Sequence, residues 1–262
     1  RQALHEYYPT ALEAFDDWTQ PSAWAFVEAF PTSQGLVQAG KRRWEKFLHA
    51  HKIYRPQTAE KRLACFARAT EFCGSAPTTA AKSRLAVTLA KMLRTLHLAM
   101  KDYRARILEL FEQHPDHDLF GSLPGAGEKI APRLLGEIGT NRGRFEDSNS
   151  LQCYAGSAPV SFQTGKTRHA NMRRACNKFL RQTAHFLSNL SRAECPWAAA
   201  YYSKKREQGK SHATALRCLG QRWLKIIWKM WQTRTPYDAE LHQRNQIEHG
   251  SWVLQLLPEG AS

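Results

Sequence analysis

The chain has 262 residues, of which 42% are hydrophobic, and a formal net charge of +15 at pH 7. The hydrophobic share excludes global disorder, and the length suffices for one large or two modest domains. No apolar run approaches the roughly 20 residues that span a bilayer, and no signal peptide is visible, so we expect a cytoplasmic protein and no membrane partner. Between Ser161 and Arg234 there are sixteen lysines and arginines but only two acids, which predicts a polyanionic partner.

The six cysteines show no C-x-x-C pair and no cysteine or histidine spacing typical of zinc ligands. We therefore expect reduced thiols and no metal bound by this chain itself. The first residue is Arg1 rather than Met, which suggests a fragment of a longer chain.

Residues 1–117 are predicted to be helical. Several short helices punctuated by prolines precede a long helix from about residue 79 to 114. Apolar residues of the long helix follow the alternating spacing of a coiled-coil seam, interrupted at Arg106: Leu85, Leu89, Met92, Leu96, Ala99, Tyr103 and Leu110. This seam fits either self-association or packing against residues 1–73 of the same chain.

The segment Leu123-Pro124-Gly125-Ala126-Gly127 is followed by apolar residues at helical spacing, which is typical of a helix-hairpin-helix. Gly125 and Gly127 allow positive φ, and the N–H groups that open the next helix, together with Lys129, can face a phosphate. Pro132 is expected in the first turn of that helix. The alternative is a tight interhelical turn that touches no nucleic acid.

Between Gly156 and Ala170 the sequence has no usable periodicity and is interpreted as a loop, preceded by a helix capped within Ser148-Asn149-Ser150. An amphipathic helix is predicted over about residues 171–191. Its predicted apolar face consists of Met172, Cys176, Phe179, Leu180, Thr183, Leu187 and Leu190. Its basic arc, Arg173, Arg174, Lys178 and Arg181, is expected to contact phosphates together with Lys166 and Arg168.

Two further helices are predicted, one starting at Pro196 and one from Ser211 to about Trp231. Trp223, Trp228 and Trp231 fit either the core or base stacking. Residues 241–262 are expected to form a C-terminal extension with an apolar patch, Trp252, Leu254, Leu256 and Leu257. No β-rich stretch is apparent, so the predicted fold class is all-α.

The order of these motifs resembles a known family. The hairpin, Tyr154-Ala155-Gly156 with the following Ala158-Pro159, a hydroxyl residue before Gly165-Lys166, the basic helix and the terminal WQTRTPYD are similar to the C-terminal transposase domain of the DEDD-plus-serine insertion-sequence recombinases. That family includes the Piv invertases and the bridge-RNA-guided recombinases. The resemblance covers residues 118–240 best, and residues 1–117 more loosely.

The resemblance implies a recombinase in which a hydroxyl attacks a DNA phosphodiester and holds the strand covalently. The family's serine position is occupied by Thr164, and Ser161 is the fallback nucleophile. It also implies DNA and a structured guide (bridge) RNA as partners, a homo-oligomer, and magnesium held by a RuvC-like domain that this sequence lacks. We therefore expect the chain alone to bind nucleic acid without cutting it.

Two other functions remain open. A non-enzymatic helix-hairpin-helix module for DNA binding or assembly would use the same hairpin and basic helix, with Thr164 inert. A basic structural RNA-binding protein is a weaker alternative, because no base-reading module is recognisable.

Overall fold

A computed structural model describes residues 1–55, 61, 62, 64, 68 and 75–251, and for positions 162 and 168–170 it describes the backbone alone. The described chain is mostly helical and divides into two compact units, residues 1–104 and 105–262. The predicted all-α class is thus confirmed in that most described residues are helical. No described helix is long and apolar enough to cross a membrane. The predicted patch at residues 252–257 lies outside the described residues.

Over residues 1–55 and from residue 75 onward, the first unit contains short helices and most of one long helix: α1 (Gln2–Tyr7), α2 (Pro9–Ala14), α3 (Pro21–Ala29), α4 (Ser33–Ala39), α5 (Lys41–Ala50) and α6 (Ala76–Glu112). Pro9 and Pro21 occupy first helical positions, as their missing N–H groups allow. Phe26 lies at the centre of an aromatic core, with ring contacts to Tyr8, Phe15, Phe30, Trp44 and Phe47.

Helix α6 packs on this core through small residues. Ala86 and Ala90 are buried, and an ion pair joins Arg94 to Glu28 at 2.9 Å. The predicted seam lies on other faces, and its large members Leu85, Leu89, Met92, Leu96, Tyr103 and Leu110 are all exposed. Packing within the chain therefore uses the alanines and leaves the predicted seam uncovered.

The described part of the second unit, which ends at residue 251, contains further helices and a β-hairpin: α7 (His117–Gly121), α8 (Gly127–Ile138), a 3-10 turn (Arg142–Arg144), α9 (Ser148–Tyr154), β1 (Val160–Thr164), β2 (Thr167–Asn171), α10 (Lys178–Glu194), α11 (Pro196–Glu207), α12 (His212–Thr233) and α13 (Ala239–Glu248). Helix α10 contacts α8, α11 and α12. Its inward face buries Leu180, Ala184 and Leu187 in their shared core.

Tryptophans fix the second core, because each buried indole N–H finds an acceptor. Trp223 and Trp231 are fully buried and donate to Ser191 Oγ at 2.9 Å and to the Gly139 carbonyl at 3.0 Å. Trp228 is half-buried and donates to the Phe145 carbonyl at 3.2 Å. Trp223 and Trp231 are thus core residues, which excludes them as stacking platforms.

Several predicted boundaries were wrong. Helix α8 begins at Gly127, so Pro132 lies inside it rather than in its first turn. Asp147, not a serine, caps α9: its carboxylate accepts from the Ser150 hydroxyl and from the Ser150 N–H, each at 2.7 Å, and these bonds lower the carboxyl pKa. Helix α10 begins at Lys178 because Asn177 caps it by accepting from the N–H groups of Phe179 and Leu180.

Candidate nucleic-acid interface and nucleophile

The segment predicted to be a loop is an antiparallel β-hairpin. Val160 pairs with Asn171 and Thr164 with Thr167, so Gly165 and Lys166 form a two-residue turn. Gly165 has φ of +58°, which glycine adopts at little cost. The prediction of no strand was wrong because each strand has only five residues, although the alternation of Val160, Phe162 and Thr164 was a usable signal.

The two candidate nucleophiles lie on opposite faces of this hairpin. Thr164 is the last residue of β1, and Ser161 is three residues earlier in the same strand. Successive side chains alternate between faces, so an odd separation places the two hydroxyls on opposite sides. Both residues are exposed. No described residue forms a hydrogen bond with the Thr164 hydroxyl.

The turn places Thr164 and Lys166 at the tip of the hairpin. Lys166 is exposed there, and Gln163 Nε2 donates to the Gly165 carbonyl at 3.3 Å. Arg168 lies in β2, with its backbone opposite Gln163. The tip therefore combines a hydroxyl with an ammonium group, two groups that suit a phosphate.

The hairpin base is fastened to the core by Tyr154 and Gly156. The Asn177 N–H donates to the Tyr154 carbonyl at 2.7 Å, and Asn177 Nδ2 donates to the Tyr154 hydroxyl at 2.8 Å. Arg144 donates to the same hydroxyl at 2.7 Å. Gly156 has φ of +68°, and a Cβ there would lie 2.5 Å from Cys176 Sγ. The YAG sequence thus holds the start of α10 beside the start of the hairpin.

The predicted basic arc is not one helical face. Arg173 and Arg174 precede α10, whereas Lys178 and Arg181 lie in its first turn. Two guanidinium nitrogens, Arg173 Nε and Arg181 Nη1, are buried and have no hydrogen-bond partner among the described residues. An unpaired buried donor of a charged group costs free energy, so these two guanidinium groups are held at a cost beside the start of α10.

The predicted apolar face of α10 is also split. Leu180, Thr183 and Leu187 face the core as expected. Phe179 and Leu190 are exposed, as is Met172, which precedes the helix. The sequence did not reveal this split, because the buried row and the exposed row of apolar residues both follow helical spacing. Only the elements that pack against α10 distinguish the two rows.

The LPGAG turn packs tightly on α10. Gly125 has φ of +76°, and a Cβ there would lie 2.8 Å from backbone atoms of Leu190 and Ser191. Its N–H donates to Glu194 Oε2 at 2.7 Å, so this donor already contacts a carboxylate of the same chain. Gly127 opens α8 with φ of +48°, and Lys129 is exposed in its first turn. The helix-opening N–H groups from Gly127 to Lys129 lack intrahelical acceptors by the geometry of an α-helix.

The described residues contain no group of three or more His, Cys, Asp or Glu side chains that could hold a metal ion. Two acids of the second unit serve contacts within the chain. Glu194 accepts from Gly125, and Asp116 pairs with Arg142 at 2.6 Å. The part of the chain that the structure describes therefore offers no carboxylate cluster for magnesium.

One segment of the chain is similar to a known protein family. Residues 117–203 match the model of the family described as Transposase IS116/IS110/IS902 family. This segment contains the LPGAG turn, the β-hairpin and all of α10. This segment is therefore similar to the domain that defines that family.

Individual relatives are named as a putative transposase, an insertion-element protein and a pilin gene-inverting protein. The chain is 31% identical over 92% of its length to the "Mini-circle putative transposase for IS117" of Streptomyces coelicolor, of which it covers 59%. It is 27% identical over 87% of its length to a 42 kDa insertion element IS900 protein of Mycobacterium paratuberculosis, of which it covers 57%. A pilin gene-inverting protein of Moraxella bovis is 25% identical over 48% of the chain and 39% of its own length. The chain thus spans less than two thirds of these relatives.

Proposed function

We propose that this chain is the nucleic-acid-binding and nucleophile-bearing part of an insertion-element transposase. The observation that carries the proposal is the exposed Thr164 hydroxyl beside Lys166, at the tip of a hairpin whose base is fixed to a cation-rich helical unit. The family match over residues 117–203 and the relatives named as a transposase and a gene-inverting protein support it.

The proposed chemistry is a transesterification. Thr164 Oγ1 forms a bond to the phosphorus of a DNA phosphodiester, and the bond from phosphorus to one deoxyribose oxygen breaks. That oxygen leaves as a hydroxyl after taking up a proton, while the Thr164 proton passes to a base outside this chain. Attack by a DNA hydroxyl on the adduct reverses these changes and rejoins a strand. No redox step or energy source is needed, because one ester replaces another.

Cations of this chain would stabilise the reaction electrostatically. Charge builds on the non-bridging oxygens of a five-coordinate phosphorus, and fixed cations lower the energy of that state. Lys166 is adjacent to the nucleophile in the turn. Arg173 and Arg174 lie in the segment that joins the hairpin to α10, and Lys178 and Arg181 lie in the first turn of that helix. We propose that these four cations bind the flanking phosphates together with Arg168.

The LPGAG turn has a smaller proposed role in binding. Since the Gly125 N–H is bonded to Glu194, a phosphate would meet the helix-opening groups from Gly127 to Lys129 instead. Gly125 would then act by its close packing on α10, which orients the N-terminus of α8.

We also propose that the complete protein binds a structured guide RNA, contains a further domain that holds magnesium, and self-associates. The guide RNA and the magnesium rest on the family resemblance. Self-association also rests on the exposed apolar seam of α6. The complete protein should co-purify with one discrete structured RNA when nuclease is omitted, and random nucleic acid or none would argue for a plain DNA-binding module.

The nucleophile is tested with the complete protein, its co-purified RNA and end-labelled target DNA. A denaturant-resistant protein–DNA adduct is expected from the native protein and from Ser161→Ala, and none from Thr164→Ala. Thr164→Ser should retain the adduct, because it keeps the hydroxyl and removes only a crowding methyl group.

Survival of the adduct in Thr164→Ala would overturn the assignment. Loss of the adduct in Ser161→Ala alone would assign the reaction to the opposite face of the hairpin. Intact DNA binding with no adduct from any protein, native included, would favour the non-enzymatic module.

A further inference from the structure

A cleft of about 550 Å³ lies between α11, α12 and α13 in the second unit. Its volume falls within the roughly 300–1,000 Å³ of pockets that hold small molecules and cofactors. Apolar and aromatic side chains of these helices and of the linker before α13 form its interior, among them Trp197, Tyr201, Ile226, Met230, Tyr237 and Leu241. The cleft is thus apolar inside, and the proposed chemistry at Thr164 makes no use of it.

Hydrogen bonds hold one aromatic wall of the cleft in place. Trp197 Nε1 donates to the Tyr237 hydroxyl at 2.9 Å, and the Tyr237 N–H donates to Ser122 Oγ at 2.8 Å. The His242 ring packs on this wall, with its centroid 4.9 Å from that of Trp197. These contacts fix the start of α13 against the core, so the cleft is formed before any ligand enters.

The face of α13 that lines the cleft is only partly covered. Leu241, His242 and Asn245 lie on this face at helical spacing. Within its described range of Ala239–Glu248, the helix has no buried residue, and Leu241 is 41% exposed. An occupant of the cleft would therefore add apolar contacts that α13 lacks in the free chain.

One face of α12 brings positive charge to the cleft. Arg222, Lys225 and Lys229 line it, are exposed, and follow at spacings of three and four residues, so this cation row runs roughly 10 Å along the helix. The Arg222 guanidinium carbon lies 5.7 Å from the ring centroid of Tyr201 in the interior. Among the described lining residues Asp238 is the one acid, and its carboxylate accepts from two N–H groups in the first turn of α13. The charge of the cleft therefore favours an anionic ligand.

We propose that the cleft receives the base of an unpaired nucleotide while the cation row of α12 contacts its phosphate and the phosphates beside it. A flat aromatic base joined to a charged backbone matches an apolar interior with a basic edge, and every base has a π face, so binding of this kind tolerates different sequences. This inference rests on the proposed nucleic-acid function and adds a ligand class to it: a nucleotide turned out of a helix, either in opened DNA or in a loop of an RNA.

Charge argues against protein as the occupant. An apolar peptide would fill the interior but leave the cation row without partners. A second copy of the chain would bring together two segments that each contain sixteen cations and two acids between Ser161 and Arg234, and such like-charged surfaces repel each other. A nucleotide satisfies the interior and the cation row at once.

The test compares affinities of the full 262-residue chain for labelled duplexes with one bulged nucleotide, either intact or abasic. The abasic bulge keeps the phosphate and lacks only the base. The native chain should bind the intact bulge about 5- to 150-fold more tightly than the abasic one, the range of one base contact. Each pair of probes is made in DNA and in RNA, and a preference in either pair supports the inference and identifies the strand.

Matched variants locate the base in the cleft. Leu241→Trp places a larger side chain in the cleft and should remove the preference for the intact bulge, because the base can no longer enter. Ile247→Trp adds the same ring to α13 outside the cleft lining, at a residue that is 60% exposed, and should keep the preference. Both changed residues are exposed, and thermal unfolding confirms that the variants fold.

A third variant separates the cation row from the interior. Lys225→Ala should weaken binding to the intact and the abasic bulge alike and lower the salt slope by about 1, because it removes a phosphate contact and no base contact.

Several outcomes would overturn the inference. Equal affinity of the native chain for intact and abasic bulges would leave nucleic-acid binding intact but exclude insertion of a base. If Leu241→Trp then also unfolds at a lower temperature than Ile247→Trp, the occupant is a segment of protein. An undiminished preference in Leu241→Trp would place the base elsewhere on the chain. No binding of any probe by the native chain would overturn both this inference and the proposed function.

Discussion

Replacing Gly125 by alanine should destabilise the second unit more than any other small change in the LPGAG turn. The new Cβ would lie 2.8 Å from the Leu190 carbonyl carbon and 2.8 Å from the Ser191 nitrogen. Backbone atoms in the middle of a packed helix cannot move aside easily, so either the turn or α10 must shift. Gly125 also has φ of +76°, a conformation that disfavours a side chain.

The magnitude follows from two contributions. Left-handed backbone costs a non-glycine residue about 1–2 kcal/mol. Forcing an extra carbon into a packed contact costs about 1–3 kcal/mol. Together they amount to about 2–5 kcal/mol, a large part of the roughly 5–15 kcal/mol that stabilises a typical domain.

Gly127→Ala is the matched control. Gly127 also has positive φ, +48°, but a Cβ there would meet no atom within 4 Å. Only the backbone contribution of about 1–2 kcal/mol should then apply. Urea unfolding of the two variants, followed by tryptophan fluorescence, measures the difference in free energy of unfolding. If Gly125→Ala is no less stable than Gly127→Ala, the close approach of the turn to α10 is refuted.

Two further predictions concern pH and assembly. Burial lowers the pKa of His185 and His242 below the ordinary value of 6.5. The unfolded chain therefore binds more protons near and below that pH, so unfolding free energy should fall as pH drops below about 6.5, and a His185→Gln/His242→Gln variant should show a flatter urea-midpoint profile between about pH 5 and 8. An unchanged profile would contradict this. Leu89→Lys and Leu96→Lys on α6 should lower the mass measured by light scattering if the seam associates, while the exposed Lys91→Ala should not; equal masses for all would exclude assembly through the seam.

Local sequence signals predicted the helices of the second unit well. Pro196 and Ser211 begin or cap helices where expected, because first-turn proline and N-cap serine act within a few residues. The start of α10 was placed seven residues too early, since the apolar spacing from Met172 continues through a segment that Asn177 ends by capping. Helical spacing alone cannot show where the backbone hydrogen bonds begin.

Contacts between distant residues account for what the sequence could not show. The bond from Gly125 to Glu194 joins residues far apart in the chain, and it changes which donors of the LPGAG turn a phosphate can reach. Exposure of Phe179 depends on the packing of α8, α11 and α12 around the other sides of α10. Neither fact has a signature in residue spacing.

The hairpin sharpens the choice between the two hydroxyls. In a flexible loop, either the Thr164 or the Ser161 hydroxyl could reach the same phosphate. Each residue could then replace the other as the nucleophile. In a strand they face opposite sides, and a phosphate bound at the Lys166 turn against one face is screened from the other by the backbone. Thr164 is next to the turn, whereas Ser161 pairs with Ala170 further toward the base. One phosphate bound beside the turn can therefore meet only one of the two hydroxyls, and the position of Thr164 next to the turn favours Thr164.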